Sequence, residues 1–329
     1  MIQVRNTENL VGITILGDFE DLSALHDAIC DYAHLHMSNY EDTEQGDHFY
    51  NCILSLCYDI RRAYQGSRDF ESVPNNSQNI ANLPQGACER GEEAEKVIER
   101  HRNLYKNGNL YFSVNIFYPW AVYYLFALQS LTEDSYASCG FEDLDFQYDD
   151  LEAERDEALI QYFVLLLWEC VKKVLPEETF TILRNYTTVF NHKDFYVQCP
   201  DMYLQWLCHY WVSSLGDKKT RRSMLPMLCL ELTPIYLEDE ELLKKPDLSD
   251  KLLSELVGSL NQNALRCIDL YNKTFEASQN TGASHFRTSV MVYAELNEYV
   301  NAHGSFTEST YDDYLIRKFG PVDWNSIEW

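Results

Sequence analysis

The sequence has no glycine-rich phosphate loop. Neither GxGxxG nor GxxxxGK[ST] occurs, and GxSxG is missing as well. Dinucleotide, P-loop and nucleophile-elbow chemistries therefore lack the glycines that bring backbone close to a phosphate or present a strained nucleophile. There is no CxxC pair, no HExxH and no Cys/His finger spacing, which removes the usual zinc signatures and leaves no cofactor implied. Basic residues are scarce, 26 Lys and Arg against 52 Asp and Glu, for a formal charge of −26. Such a surface repels nucleic acid and anionic lipid, whose binding depends on basic groups displacing counterions. It keeps a chain dissolved and favours a partner with a basic surface. The longest apolar run, Ile116 to Leu128, contains Pro119 and falls short of the ~20 residues needed to cross a bilayer. The opening MIQVRNTENL lacks the pattern of a secretory signal. The expectation is a cytoplasmic protein with no membrane segment and little affinity for nucleic acid.

What is present is aromatic and globular. The 329 residues include 23 Tyr and 16 Phe, enough for a thick core with a tyrosine rim. A chain of this length buries about three-quarters of its unfolded surface and needs no staple. Its ten cysteines are scattered through apolar segments, as at Cys52, Cys57, Cys170, Cys208, Cys229 and Cys267. There a free thiol behaves as a small hydrophobe, consistent with a reducing cytosol.

Alternation with period two marks the start: Ile2 and Val4 face one way, then Val11, Ile13 and Ile15 after the turn-like NTEN. DFEDLSALHDAICDYAHLH follows with helical spacing and an acidic entry. A second helix runs from about His48 to Gln65, closed by Gly66. Residues 68–73 read as a third strand, 74–91 as a breaker-rich loop, and 92–108 as a short charged helix. LYFSVNIFY is the clearest strand, with Leu110, Phe112, Val114, Ile116 and Tyr118 on one face; Pro119 opens the next helix. The expected fold is α+β: a small antiparallel sheet covered by helices on one face, followed by a mostly helical C-terminal half. The expected units are 1–132, an acidic linker or loop at 133–157, and a helical region over 158–329. That linker carries eleven acids against the single Arg155. Helical patterns fall at 151–175, 177–190, 200–215, 223–232, 248–278 and 286–301, and Ser309 with Asp312 suggests a capping box for a last helix.

Two groups of residues invite a chemical reading. In CYDIRRAYQG, Ile53, Leu56, Cys57, Ile60, Ala63 and Tyr64 form an apolar stripe, and Asp59 and Arg62 sit opposite at i, i+3. That spacing predicts a surface ion pair of ~0.2–0.5 kcal/mol. Asp59, Arg61 and Arg62 alternatively form a polar cluster facing a ligand or partner. In DKKTRRS, Lys218, Lys219, Arg221 and Arg222 stand against the global charge. They can hold a phosphate or an acidic segment, or pair with the acidic stretch at 133–157.

Other groups read as packing. His26, Cys30 and His34 repeat at i, i+4 and i+8, but about 12 Å of helix separates the ends, so one metal cannot take all three. Asp217-Lys218-Lys219 gives the D-x-K of a nuclease without its strand. Trp324 and Trp329 are expected to dock on the chain's own core.

NTENLVGITILGDFEDLSAL, CYDIRRAYQG, LYFSVNIFYPWAVYYLFAL and the terminal IEW together resemble a bacterial family known as a domain of unknown function. The resemblance is most specific over residues 1–130 and continues through DMYLQWLCHYW and DKKTRR. It implies a bacterial, cytoplasmic protein and carries no catalytic residues with it. The leading expectation is a non-catalytic interaction or regulatory protein of a bacterial operon, phage defence being one setting, with another protein as partner. The alternatives are a sensor for a small anion or nucleotide and a hydrolase without a recognisable motif.

Overall fold

Period-two alternation in the first twenty residues becomes two paired strands, β1 (Gln3–Asn6) and β2 (Gly12–Gly17). A computed structural model describes residues 1–37, 44–74, 108–133, 150–187, 200–232, 269–270, 272–276, 287–303 and 306–329. Two further strands, β3 (Asp69–Pro74) and β4 (Gly108–Phe117), complete an antiparallel sheet of order β1-β2-β4-β3. Register is fixed by rungs such as Val4↔Ile15, Ile15↔Val114 and Phe70↔Phe112. Because side chains alternate, these rungs put Val4, Ile13, Ile15, Val114 and Ile116 on one face, where helices cover them. The other face is more polar. Across it the Arg5 guanidinium reaches Glu71 with two parallel bonds of 3.1 and 3.0 Å, joining the two outer strands above Thr14 and Ser113.

Helix α1 (Phe19–Met37) and α2 (Glu44–Arg62) pack on each other, and α1 lies on β2. The apolar stripe of α2 is buried as its spacing predicts: Ile53, Leu56, Cys57, Ile60 and Ala63 are all inside. Burying each aliphatic side chain of this size contributes about 1.5–3 kcal/mol, so the stripe fixes the helix's rotation. A single turn of π-type helix (Ala63–Ser67) follows, and Gly66 turns the chain out with φ 77°, a conformation that suits glycine. Tyr118 and Pro119 begin α3 (Tyr118–Glu133), which is apolar nearly all round and runs through the core.

The later part is helical: α4 (Asp150–Lys172), α5 (Glu177–Thr187), α6 (Pro200–Ser213), α7 (Lys218–Glu231), α8 (Ser289–His303) and α9 (Glu308–Phe319). Helix α3 packs against α4 and α6, and one hydrophobic cluster runs from Ile2 to Leu315. Cross-links between the two halves are specific. Asn6 Nδ2 donates to the Cys170 carbonyl at 3.0 Å, and Trp211 Nε1 donates to the Leu10 carbonyl at 3.0 Å.

The α+β expectation therefore holds, with local differences. Helix α7 begins at Lys218 instead of 223, because the Asp217 side chain accepts from the Lys219 and Thr220 amides and caps it. Pro226 lies inside that helix, where the buried run Met224–Leu230 offsets one missing backbone donor. The last helix is capped by Thr307, whose hydroxyl accepts from the Thr310 amide at 3.1 Å, and not by Ser309. Residues 150–157, the end of the acidic stretch, are the first turns of α4. The expected loop at 74–91 and helix at 92–108 lie outside the described residues except for their ends, Pro74 and Gly108, which belong to β3 and β4; residues 134–149 of the acidic stretch and most of 248–278 also lie outside them.

Candidate functional site

In the first candidate cluster, at the end of α2, the predicted Asp59–Arg62 pair is replaced by a longer-range one. Asp59 Oδ1 accepts from Arg68 at 2.6 Å, beyond the glycine turn. Arg61 and Arg62 instead flank the half-exposed Tyr58 ring, their guanidinium carbons 5.4 and 5.3 Å from its centre. These side chains stand on a helix end and line neither of the two cavities described here. Their geometry is that of a solvated surface with one structural ion pair.

The basic run at 218–222 divides in two. Arg221 is 7% exposed and faces inward. Its Nη1 donates to the Asn9 carbonyl at 3.0 Å and its Nε to the Trp211 carbonyl at 3.3 Å. It is a strut between α7 and the β1–β2 turn and at the same time part of a groove lining. Lys218, Lys219 and Arg222 are exposed and, among the described residues, enter no ion pair. The acidic stretch that was their suggested internal partner is outside the described residues except for its ends.

Lys218, Lys219 and Arg221 line one groove of about 740 Å³. One wall is the turn from α6 to α7; the other is the C-terminal segment, including Pro321, Asp323, Ser326 and Glu328. Gly320, at φ 80°, makes the turn that brings that segment back across the sheet end. There Trp324 and Trp329 pack on Phe117 with ring centres 5.4 and 4.6 Å apart, at the edge of the core and not in it, Trp324 staying 40% exposed. The groove is electrically divided. Lys218 and Lys219 stand on the α7 side and the acidic residues Asp323 and Glu328 on the other, with Asp217 engaged as the helix cap and Asp323 Oδ1 accepting from the Asn325 amide at 3.1 Å. Hydrogen bonds from Thr220 hold the Asp217 carboxyl below its ordinary range. Such a lining suits a segment carrying both signs of charge better than a lone anion.

Two further clusters had no complete signal in the sequence. His26 and Cys30 meet on α1, with Nε2 and Sγ 3.8 Å apart, and Cys57 of α2 closes on them; His34 is exposed and takes no part. At the far end, Glu295 accepts from Arg287 Nε at 3.3 Å and from the Tyr314 hydroxyl at 3.1 Å, and also pairs with Lys318. Burial, with Arg287 adding repulsion, brings the Lys318 ammonium down to about 8. The four residues come from two stretches, 287–295 and 314–318, a juxtaposition that no local spacing announces. Among the described residues, no group of three His, Cys, Asp or Glu is placed to hold a metal, and no helix is long and apolar enough to cross a membrane.

No curated protein and no solved structure matches the chain. One family model matches residues 2–242, taking in CYDIRRAYQG, DMYLQWLCHYW and DKKTRR and stopping short of the terminal IEW. On that match the chain belongs to the family described as a domain of unknown function, DUF6904.

Proposed function

We propose that the chain is a non-catalytic interaction protein that binds a polypeptide segment of a partner in the groove between the head of α7 and the C-terminal segment. The observation that carries this is the divided lining: exposed lysines on one wall and the acidic residues Asp323 and Glu328 on the other, in a groove of about 740 Å³. A mixed-charge peptide satisfies both walls, and the −26 net charge favours a partner with basic surface around that segment. A cytoplasmic setting belongs to the same reading, supported by six free thiols among the described residues. So do a bacterial source and a regulatory place in an operon, phage defence included, which rest on the resemblance of residues 1–130.

The test is affinity capture from the source cell with the full chain and with a Lys218→Glu, Lys219→Glu double variant as parallel baits. Thermal-shift screening with phosphate and nucleotides runs beside it. A stoichiometric protein held by the parent and lost by the variant supports the reading. Equal capture by both baits overturns it. A nucleotide or phosphate shift that disappears in the variant, with no protein captured, replaces it with the small-anion sensor. A ligand present at about 100 times its Kd adds about 2.7 kcal/mol, well within the reach of that screen.

A further inference from the structure

We propose that Cys30 is a peroxide-reactive thiol and Cys57 its resolving partner, so that oxidation joins α1 to α2 through an intramolecular disulfide. The two sulfurs converge on His26 from the two packed helices: Cys30 Sγ lies 3.8 Å from its Nε2, and Cys57 Sγ donates to its carbonyl oxygen, one helical turn before Cys30, at 4.0 Å. Their environments differ in the way such a pair requires. Cys30 is only partly buried and open to a small oxidant, whereas Cys57 is 2% exposed and reachable chiefly by Cys30.

The surroundings of Cys30 favour its thiolate. Asp27 Oδ1 lies 2.8 Å from His26 Nδ1, which places the ring proton on that nitrogen and leaves Nε2 free to face Cys30 Sγ at 3.8 Å. The Tyr64 ring, carried by the π-type turn, packs edge-on to His26 at 5.9 Å and to Phe19 at 5.4 Å, holding the imidazole in place. The neighbouring Cys57 brings the Cys30 thiol down to about 7, with His26 helping and burial, Asp31 and Asp27 opposing. Cys30 beside it, together with burial, pushes Cys57 up, so it stays protonated and donates to the His26 carbonyl at 4.0 Å. The other buried thiols are driven the opposite way from Cys30: burial raises Cys52 to about 12 and Cys170 to about 11. Among the described residues, Cys30 is therefore set apart for reaction.

The chemistry balances with a hydroperoxide as oxidant. The Cys30 thiolate attacks the terminal peroxide oxygen; an S–O bond forms, the O–O bond breaks, and the alkoxide or hydroxide leaves and takes a proton. Cys57 then attacks the Cys30 sulfenic sulfur. An S–S bond forms, the S–O bond breaks, and water departs with the Cys57 proton. Two thiols are oxidised and one hydroperoxide is reduced to an alcohol or water.

The experiment treats the reduced full chain with one equivalent of hydrogen peroxide, blocks remaining thiols, and maps peptides by mass spectrometry. A Cys30–Cys57 cross-linked peptide is the expected product from a chain with ten cysteines. In Cys57→Ser, dimedone should trap a sulfenic acid at Cys30. In His26→Gln, alkylation of Cys30 at pH 7 should slow several-fold, with circular dichroism confirming the fold of each variant. Oxidation spread evenly over the cysteines overturns the proposal, as does a folded Cys57→Ser chain without a dimedone adduct at Cys30.

Discussion

Arg221 Nη1 donates to the main-chain carbonyl of Asn9 at 3.0 Å, tying the head of α7 to the turn between β1 and β2. The bond is buried at one end, so its loss leaves a carbonyl without a partner. Arg221→Met, which keeps the aliphatic stem, should therefore cost about 1.5–3 kcal/mol, the range for buried bonds to a charged group. Its exposed neighbour gives the control: Arg222→Met should stay within about 0.5 kcal/mol. Urea unfolding of both variants measures the contrast, and equal losses would remove Arg221 from its role as a strut.

The Asp59–Arg68 pair is partly exposed at both ends, with side chains 32% and 41% accessible. Solvent screening limits it to about 0.2–1 kcal/mol. A double-mutant cycle on Asp59 and Arg68 should return a coupling in that range. The corresponding cycle on Asp59 and Arg62 should return about half or less, since Arg62 lies over Tyr58.

Capping at α9 separates two hydroxyls two residues apart. Thr307→Ala removes the acceptor for the Thr310 amide and should cost ~1 kcal/mol, while Ser309→Ala should fall within about 0.5 kcal/mol. Thermal unfolding of the pair decides between them.

His209 carries a pH dependence with a definite sign. Its ring lies between Phe319 and Trp324, at 6.1 and 4.8 Å, and its Nδ1 is buried without a hydrogen-bond partner. Burial holds the imidazole below its ordinary 6.5, with Asp312 opposing. The unfolded chain thus takes up the proton first. The neutral ring's contribution is complete above about 6.5 and is lost as pH falls through the lower folded value. Between pH 7 and pH 5 the parent should lose stability more steeply than His209→Phe. Parallel curves from chemical unfolding at each pH would refute this.

Legibility in the sequence followed the range of each contact. The stripe Ile53–Leu56–Cys57–Ile60 was readable because helical period alone decides which side packs. The sheet's first and last strands were readable for the same reason with period two, and Gly66 marked its own turn. Asp59 was misassigned because its partner Arg68 lies across a change of direction, where i, i+3 arithmetic no longer applies. Arg221 looked like one member of a basic run, and only its place opposite Asn9 shows that it serves backbone carbonyls. His26 and Cys30 were visible as an i, i+4 pair. Their significance waited on Cys57 arriving from another helix. The groove drew one wall from residues 212–221 and the other from 321–328, a juxtaposition that only the folded chain supplies.

The hairpin of β3 and β4 ends on facing partners, Pro74 opposite Gly108. Whatever lies between them departs and returns across one rung, so a longer or shorter excursion shifts nothing in the ladder. Closing a flexible span twice as long costs only about 0.6 kcal/mol more. The alignment of the four strands is thereby insulated from the length of chain that joins β3 to β4.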